Sequence, residues 1–169
     1  MKTKLLFFLA FSMLMSGCSK QDATLPGGFT RTHDDMTGDI TITSPLMMPS
    51  MNGGMEINKV ILESGSSFMY IMFQTNSSSP HYGEVGLIVL FEDGTRLEKP
   101  NLDVSCTYYS SSSNTPFNYR SYLILDDELY ELFSTKVMKK FRLYIYDVEL
   151  FARPAEKFVD YVKQIKDMV

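Results

Sequence analysis

The first candidate group for catalysis is a cysteine nucleophile with a histidine as its base. Cys106 would need a base such as His81 or His33, because a thiolate forms at neutral pH only beside a base or a positive field. The alternating stretch 102–109, however, places Cys106 on its apolar face. This pattern favours a small buried side chain, so we predict no catalytic residue here.

An acidic group offers the oxygen ligands that a hard cation such as Ca²⁺ prefers. Its members are His33, Asp34, Asp35 and Asp39. The spacing has neither the alternating acidic positions nor the closing glutamate of an EF-hand-type loop. We therefore predict a solvated polar segment and no metal site.

Motifs for cofactor chemistry are absent from the sequence. It contains no Gly-x-Ser-x-Gly elbow, phosphate-binding loop, zinc-ligand spacing or dinucleotide fingerprint. Two histidines in the whole chain also leave little material for acid–base catalysis. We expect no cofactor and favour a non-catalytic binding or accessory module, with a small hydrolase-like enzyme as the alternative.

Tyrosines on otherwise polar faces form the third candidate group. They are Tyr144 and Tyr146 in one strand pattern, and Tyr108, Tyr109 and Tyr119 around a serine-rich loop. Exposed tyrosines beside Ser and Asn are typical of carbohydrate and protein recognition, since each ring combines flat apolar area with a hydrogen-bonding tip. We predict a binding surface for a glycan or protein; alternatively, the rings cover the second face of a sheet.

The elements that position these residues are predicted to be mostly strands. Strand patterns cover 55–62, 67–75, 85–91, 96–99, 102–109, 119–125 and 139–147. The runs 67–75 and 85–91 are apolar on both faces, which predicts central strands. The loops 63–66 and 92–95 suit hairpins, the second because its Asp-Gly pair favours a tight turn.

Two helices complete the predicted fold. Asp126 is the expected N-cap of a short helix, and the acidic run 126–128 fits its amino end. Pro154 suits a first helical turn, after which apolar residues recur with helical spacing to Val169. The expected class is α+β: a curved, mostly antiparallel sheet with a short helix and a C-terminal amphipathic helix packed on one face.

The leader is the most specific signal in the sequence. Lys2 and Lys4 precede an apolar run, 5–15, which is far shorter than the roughly twenty residues of a membrane-spanning helix. The small residues Ser16 and Gly17 before Cys18 resemble the lipobox of bacterial lipoproteins. The resemblance implies diacylglycerol on the thiol of Cys18, cleavage before it, and a protein anchored in the cell envelope by lipid.

The sorting position and the layout extend this resemblance. Ser19 rather than Asp follows the cysteine, which by the sorting scheme of Gram-negative lipoproteins implies the outer membrane, facing the periplasm or the surface. The overall layout is similar to that of small lipoproteins of Bacteroides-like bacteria. Within the chain, the residue patterns themselves predict a leader at 1–18, a flexible tether at 19–28, a poorly ordered arm at 29–54 with an edge strand at 39–43, and one domain at 55–169.

Charge excludes one class of partner. Without the leader lysines the chain holds 14 Lys and Arg against 20 Asp and Glu, a net charge of 14 − 20 = −6. Such a balance gives no long-range attraction for phosphate backbones. We therefore expect the membrane, through the N-terminal lipid, and an unknown protein or glycan as partners, and no nucleic acid.

Overall fold

The computed structural model describes residues 20–50, 53–109 and 114–169. These residues form a mostly antiparallel, open β-sheet with two helices. The strands are β1 (Lys20–Thr24), β2 (Thr30–His33), β3 (Ile40–Thr43), β4 (Met47–Ser50), β5 (Gly53–Ile61), β6 (Ser67–Ser77), β7 (Glu84–Phe91), β8 (Arg96–Tyr108), β9 (Phe117–Leu125), β10 (Met138–Leu143) and β11 (Tyr146–Glu149). The helices are α1 (Asp127–Thr135) and α2 (Ala152–Lys166).

The strand order is β1-β2-β3-β5-β6-β9-β8-β7-β10-β11, and β4 pairs with β5. Both predicted hairpins are confirmed, since β5 pairs with β6 and β7 pairs with β8. In the second turn Thr95 N donates to Asp93 Oδ1 at 2.9 Å, and Gly94 takes a φ of +87°. Both predicted central strands, β6 and β7, have a neighbour on each side.

Strand β8 changes partner along its length. It pairs with β7 as far as Val104 and with β9 from Ser105 to Tyr108. The two halves of the sheet are therefore joined through one long strand. This connection places the end of β8 beside β9, which pairs with β6 on its other side.

The segment 29–54 contributes three strands to the sheet. The sequence indicated an edge strand at 39–43, but β3 lies between β2 and β5. The physical reason is burial: Ile42 is fully buried in the core, and so is Phe29, whose ring packs edge-on against Tyr161 at 5.1 Å. The outermost strands of the sheet are instead β1 and β11.

The prediction of a single strand over 139–147 is wrong. The chain reverses after Leu143, and β10 pairs with β11 across a two-residue turn. Tyr144 takes a φ of +56° in that turn, and Ile145, which was expected on the apolar face, is 55% exposed. The alternation of apolar and polar residues continues through this turn, and the turn contains no glycine. The sequence therefore carried no turn signal.

One main core unites the sheet and both helices. Phe73, Phe141 and Phe133 pack ring against ring, with centroids 5.1–6.3 Å apart. The predicted N-cap is confirmed, because Leu129 N donates to Asp126 Oδ1 at 2.8 Å. The predicted C-terminal helix is present as α2, with its apolar stripe buried at Ala155, Phe158, Val162 and Ile165.

Candidate ligand-binding site

The candidate site lies on the side of β5, β6 and β9 that faces away from the main core. Successive strand residues point to opposite faces, so Gln74 and Asn76 of β6 share one face while Phe73 points into the core. The register pairs Gln74 with Arg120 and Asn76 with Asn118. Polar side chains from neighbouring strands therefore meet on this outer face.

A cavity of about 390 Å³ opens at this position. The exposed ring of Tyr109 lies at its rim, and its polar lining comes from Glu56, Gln74, Asn76, Thr115, Asn118 and Arg120. We call this the β9 cavity. Small-molecule sites are typically concavities of about 300–1,000 Å³ with a few convergent polar groups, and the β9 cavity falls within that range.

Two buried polar atoms of the β9 cavity have no hydrogen-bond partner among the described residues. Asn118 is only 8% exposed, and its Nδ2 donates to Asn76 Oδ1 at 2.7 Å. Its Oδ1 is left without a donor, and Arg120 Nε is left without an acceptor. A buried polar atom without a partner costs about 1–3 kcal/mol, so such atoms are rare unless something else satisfies them.

Glu56 supplies the acidic group of the β9 cavity. Asn58 Nδ2 donates to Glu56 Oε1 at 3.3 Å, and Asn58 is itself held by Thr43, whose Oγ1 donates to Asn58 Oδ1 at 2.6 Å. Burial raises the pKa of Glu56, while the Asn58 hydrogen bond and the positive charge of Arg120 oppose that shift. The cavity thus contains one guanidinium and one carboxyl group.

Along β6, the outer face is polar at Gln74 and Asn76 and apolar at Met72 and Tyr70. Tyr70 and Met72 are each 6% exposed and pack with Val60 and the partly buried Tyr122. The rings of Tyr70 and Tyr122 meet edge-on at 5.7 Å. Burial, together with the charge of Glu56, raises the pKa of Tyr70. Met72 belongs both to this small second core and to the lining of the β9 cavity, so the two features adjoin.

The five tyrosines predicted as a binding surface separate in the structure. Tyr109 is 77% exposed and lines the β9 cavity. Tyr108 is also exposed, but it packs edge-on against Phe117 and does not line the cavity. The prediction of an exposed ring is wrong for Tyr119, which is fully buried and donates from its hydroxyl to Ser79 O at 2.6 Å.

Tyr144 and Tyr146 lie elsewhere, in a tyrosine–histidine cluster with His81. The His81 ring lies 5.8 Å from Tyr144 and 6.3 Å from Tyr146, and both tyrosines are half-buried. Ser77 Oγ donates to Tyr146 Oη at 2.9 Å. A hydrogen bond with Glu84 raises the pKa of Tyr144. Tyr146 also packs against the buried ring of Tyr119, with centroids 5.0 Å apart.

Cys106 lies beside this cluster rather than in the β9 cavity. It is half-buried and packs against the main core. Burial raises the pKa of Tyr119, and hydrogen bonds with Tyr146 and Cys106 add to that shift. Within the part of the chain that the structure describes, no hydrogen bond joins Cys106 to His81 or His33.

The acidic side chains of the segment 33–39 accept backbone hydrogen bonds that stabilise a turn. Asp34 Oδ1 accepts from the backbone N of Met36 and of Thr37, at 2.8 and 3.2 Å. Asp39 Oδ1 accepts from Glu63 N at 3.0 Å, which ties this turn to the β5–β6 loop. Among residues 20–50, 53–109 and 114–169, no group of three or more His, Cys, Asp or Glu is arranged to hold a metal ion.

Sequence reasoning did not identify the polar residues of the β9 cavity. A weak signal was present, since Gln74 and Asn76 continue the outer face of β6 after Met72 and replace apolar residues by amides. Arg120 likewise is the one charged residue in the strand pattern 119–125. Only the pairing of β6 with β9 brings these residues together.

Comparison with known proteins gives no relative from which a function could be transferred. No protein-family model, no curated protein and no solved structure matches the chain. No helix within the described ranges is long and apolar enough to cross a membrane. Cys18, the predicted lipidation site, lies outside the described residues.

Proposed function

We propose that this protein is a lipid-anchored, non-catalytic binding module of the bacterial cell envelope, and that the β9 cavity holds its ligand. The observation that carries the proposal is the pair of buried, unpartnered atoms, Asn118 Oδ1 and Arg120 Nε, in a concave site. Both atoms belong to residues that line the cavity, so a ligand that shifts these two side chains as it binds would pair with both atoms and recover the free energy that their burial costs.

The position of the strands relative to Cys18 supports this proposal. Strand β1 begins two residues after Cys18, and cross-strand pairing aligns one end of the sheet in a single row: Lys20, His33, Ile40, Ile61 and Ser67. Gln74 lies seven residues along β6 from Ser67, about 23 Å at roughly 3.3 Å per residue. A lipid on Cys18 would therefore leave the β9 cavity at the end of these strands remote from the membrane.

We also propose that the helices cover one face of a curved sheet, as the sequence pattern indicates. Two contacts support this arrangement for α2. Lys59 Nζ of β5 donates to the carbonyl oxygens of Lys166 and Met168, at 2.6 and 2.7 Å. Tyr161 of α2 packs against Phe29, which precedes β2. Such a cover would leave the opposite face, with the β9 cavity, open to ligand.

Lipid anchoring and the side of the membrane that the domain faces are tested on intact cells. Wild type and Cys18→Ser are followed by antibody through membrane fractionation and after protease treatment. We expect wild type to stay with the membranes and Cys18→Ser to be released when envelopes are opened. Cleavage of wild type on unbroken cells would place the domain at the surface, and protection would place it in the periplasm. Equal release of both proteins would contradict lipid anchoring.

The role of the β9 cavity is tested by thermal unfolding of the purified full-length protein in detergent. Saccharides, peptides, free amino acids and nucleotides are added in turn, since a ligand that binds only the folded state raises the Tm. We expect at least one class to raise the Tm of wild type and of Arg96→Met, an exposed arginine outside the cavity, but not that of Arg120→Met. The absence of any shift that depends on Arg120 would refute the binding function.

A small envelope hydrolase is the second candidate. It is favoured by the chain of contacts from Cys106 through Tyr119 and Tyr146 to His81. Hydrolysis of a chromogenic ester that Cys106→Ser and His81→Ala abolish, while Arg120→Met retains it, would favour this candidate. Equal background rates for all these proteins would leave the binding module as the better account.

A further inference from the structure

We infer that the ligand of the β9 cavity is a neutral saccharide, an inference that rests on the proposed binding function. The first reason is the pair of groups that the cavity leaves unsatisfied. Arg120 Nε needs a hydrogen-bond acceptor and Asn118 Oδ1 needs a donor. A hydroxyl group supplies either one, and a sugar ring carries several hydroxyls in a fixed arrangement.

The spacing of the two groups fits a ring with hydroxyls on more than one edge. Asn118 and Arg120 are two residues apart on β9 and point to the same face, so their backbone positions are separated by about 6.6 Å. Gln74 and Asn76 of β6 stand opposite them and present further amide groups. Amide and guanidinium groups on two adjacent strands can therefore contact several hydroxyls of one sugar unit.

Charge is the second reason. Among the residues that the structure describes, the cavity lining contains one cationic side chain, Arg120, and one acidic side chain, Glu56, and no other charged residue. An anionic ligand would pair with Arg120 but would also bring a second negative group toward Glu56, which is already partly desolvated. A neutral ligand avoids this repulsion and leaves the attraction between Glu56 and Arg120 intact.

The position of the cavity within the sheet disfavours an extended peptide. Peptides commonly bind by adding a strand to a free sheet edge. The strands that carry the cavity are already paired on both sides, since β6 lies between β5 and β9, and β9 lies between β6 and β8. Their backbone groups are used within the sheet, so the ligand must be recognised by side chains.

An exposed aromatic ring at the rim is the third reason. Tyr109 is 77% exposed, although burying such a ring is normally favourable. Flat apolar rings of this kind stack on the C–H face of a pyranose, while hydroxyls at the ring edge bond to polar side chains. Pro116 and Met72 add apolar surface beside the polar groups.

Isothermal titration of the full-length protein in detergent tests the inference. The probes are neutral gluco-, manno-, galacto- and N-acetylglucosamine oligosaccharides, with uronic-acid oligosaccharides and neutral peptides for comparison. We expect a neutral oligosaccharide to bind, with affinity reduced tenfold or more in Tyr109→Ala and in Asn118→Ala. The matched control, Tyr108→Ala, removes an exposed neighbouring tyrosine outside the cavity and should keep wild-type affinity.

The outcomes separate this inference from the proposed function. Binding of only peptides or only acidic sugars, lost in Arg120→Met, would overturn the neutral saccharide and leave the binding module standing. Saccharide binding that Tyr109→Ala does not weaken would place the sugar outside the β9 cavity and would also overturn the inference. Because Tyr109 is exposed, its substitution leaves the core intact, which unchanged circular dichroism confirms. Absence of any Arg120-dependent ligand would refute both.

Discussion

Tyr144 lies in the β10–β11 turn, in a backbone conformation that tyrosine does not favour. Its φ of +56° lies in the left-handed region, which costs a non-glycine residue about 1–2 kcal/mol. Its backbone N donates to Gly86 O at 2.9 Å, and its ring contacts His81 and Tyr146. These contacts join the β10–β11 turn to β7 and offset the backbone strain.

Two substitutions of Tyr144 distinguish the effect of backbone strain on stability from the effect of the ring contacts. Both Tyr144→Ala and Tyr144→Gly lose the ring contacts, but only glycine adopts the positive φ without steric cost. We expect Tyr144→Gly to be more stable than Tyr144→Ala by about 1 kcal/mol. Chemical denaturation of the two variants measures this difference. Equal stability would mean that the turn relaxes once the ring is removed.

The side chain of Asp126 caps the amino end of α1. Asp126 Oδ1 accepts from Leu129 N and so satisfies one of the helix's free backbone donors. We expect Asp126→Ala to lower the free energy of unfolding by about 1 kcal/mol, measured by urea denaturation. Asp127→Ala removes a neighbouring exposed carboxylate that is not the cap and should cost much less. A larger loss from Asp127→Ala would contradict the assignment of the cap.

At the scale of elements, α2 is tied to the sheet through its carboxyl end. The last carbonyls of a helix have no partner within the helix. Lys59, which is 9% exposed, reaches from β5 to two carbonyl oxygens there, those of Lys166 and Met168. A buried ammonium is costly unless it is hydrogen-bonded, so β5 and the end of α2 stabilise each other.

Removing the ammonium group of Lys59 tests this link. Lys59→Met keeps the length of the side chain but leaves two carbonyl oxygens with one partner fewer. We expect a loss of about 1–3 kcal/mol in the free energy of unfolding. Lys163→Met, on the exposed face of the same helix, is the matched control and should be nearly neutral. Faster amide exchange confined to the end of α2 in Lys59→Met would confirm the site of the effect.

At the scale of the whole molecule, one sheet carries two surfaces of different character. Its core-facing residues belong to one apolar cluster that also contains residues of both helices. Its outer face holds the small aromatic core around Tyr70 and, beyond Met72, the β9 cavity. The burial of Glu56 on this outer face links the stability of the molecule to pH.

The sign of that pH dependence follows from the raised pKa of Glu56. The folded state favours the protonated carboxyl, so this group's contribution to stability is full below its unfolded pKa, about 4.3, and is lost as pH rises through its folded value. Glu56→Gln avoids that loss. We expect its Tm to exceed that of wild type at neutral pH and the difference to shrink near about pH 4.

Scanning calorimetry across this pH range measures the effect. Glu149→Gln, which removes an exposed carboxylate on β11, controls for the change in net charge. A constant difference between Glu56→Gln and wild type at every pH would show that titration of Glu56 is not its cause.

Much of the fold could be predicted because its signals are local. The Asp93-Gly94 pair predicted the β7–β8 turn, Asp126 predicted the start of α1, and a helical period predicted α2. The β10–β11 turn was missed because its reversal has no glycine or proline signal and depends on contacts of Tyr144 with β7 and His81. The interior position of β3 was missed because burial of Ile42 depends on strands that come later in the chain.

Local patterns predicted a leader with its cysteine, the two hairpin turns and both helices, because each of these signals depends on residues close together in the chain. Local patterns did not predict which polar residues share a site. Glu56 and Gln74 come from the β5–β6 hairpin, whereas Arg120 comes from β9, far away in sequence, and the register of β5, β6 and β9 brings the three together. The pairing of β8 with β9 places Tyr109, which directly follows β8, at the cavity, whereas Tyr119 of β9 is buried in the core.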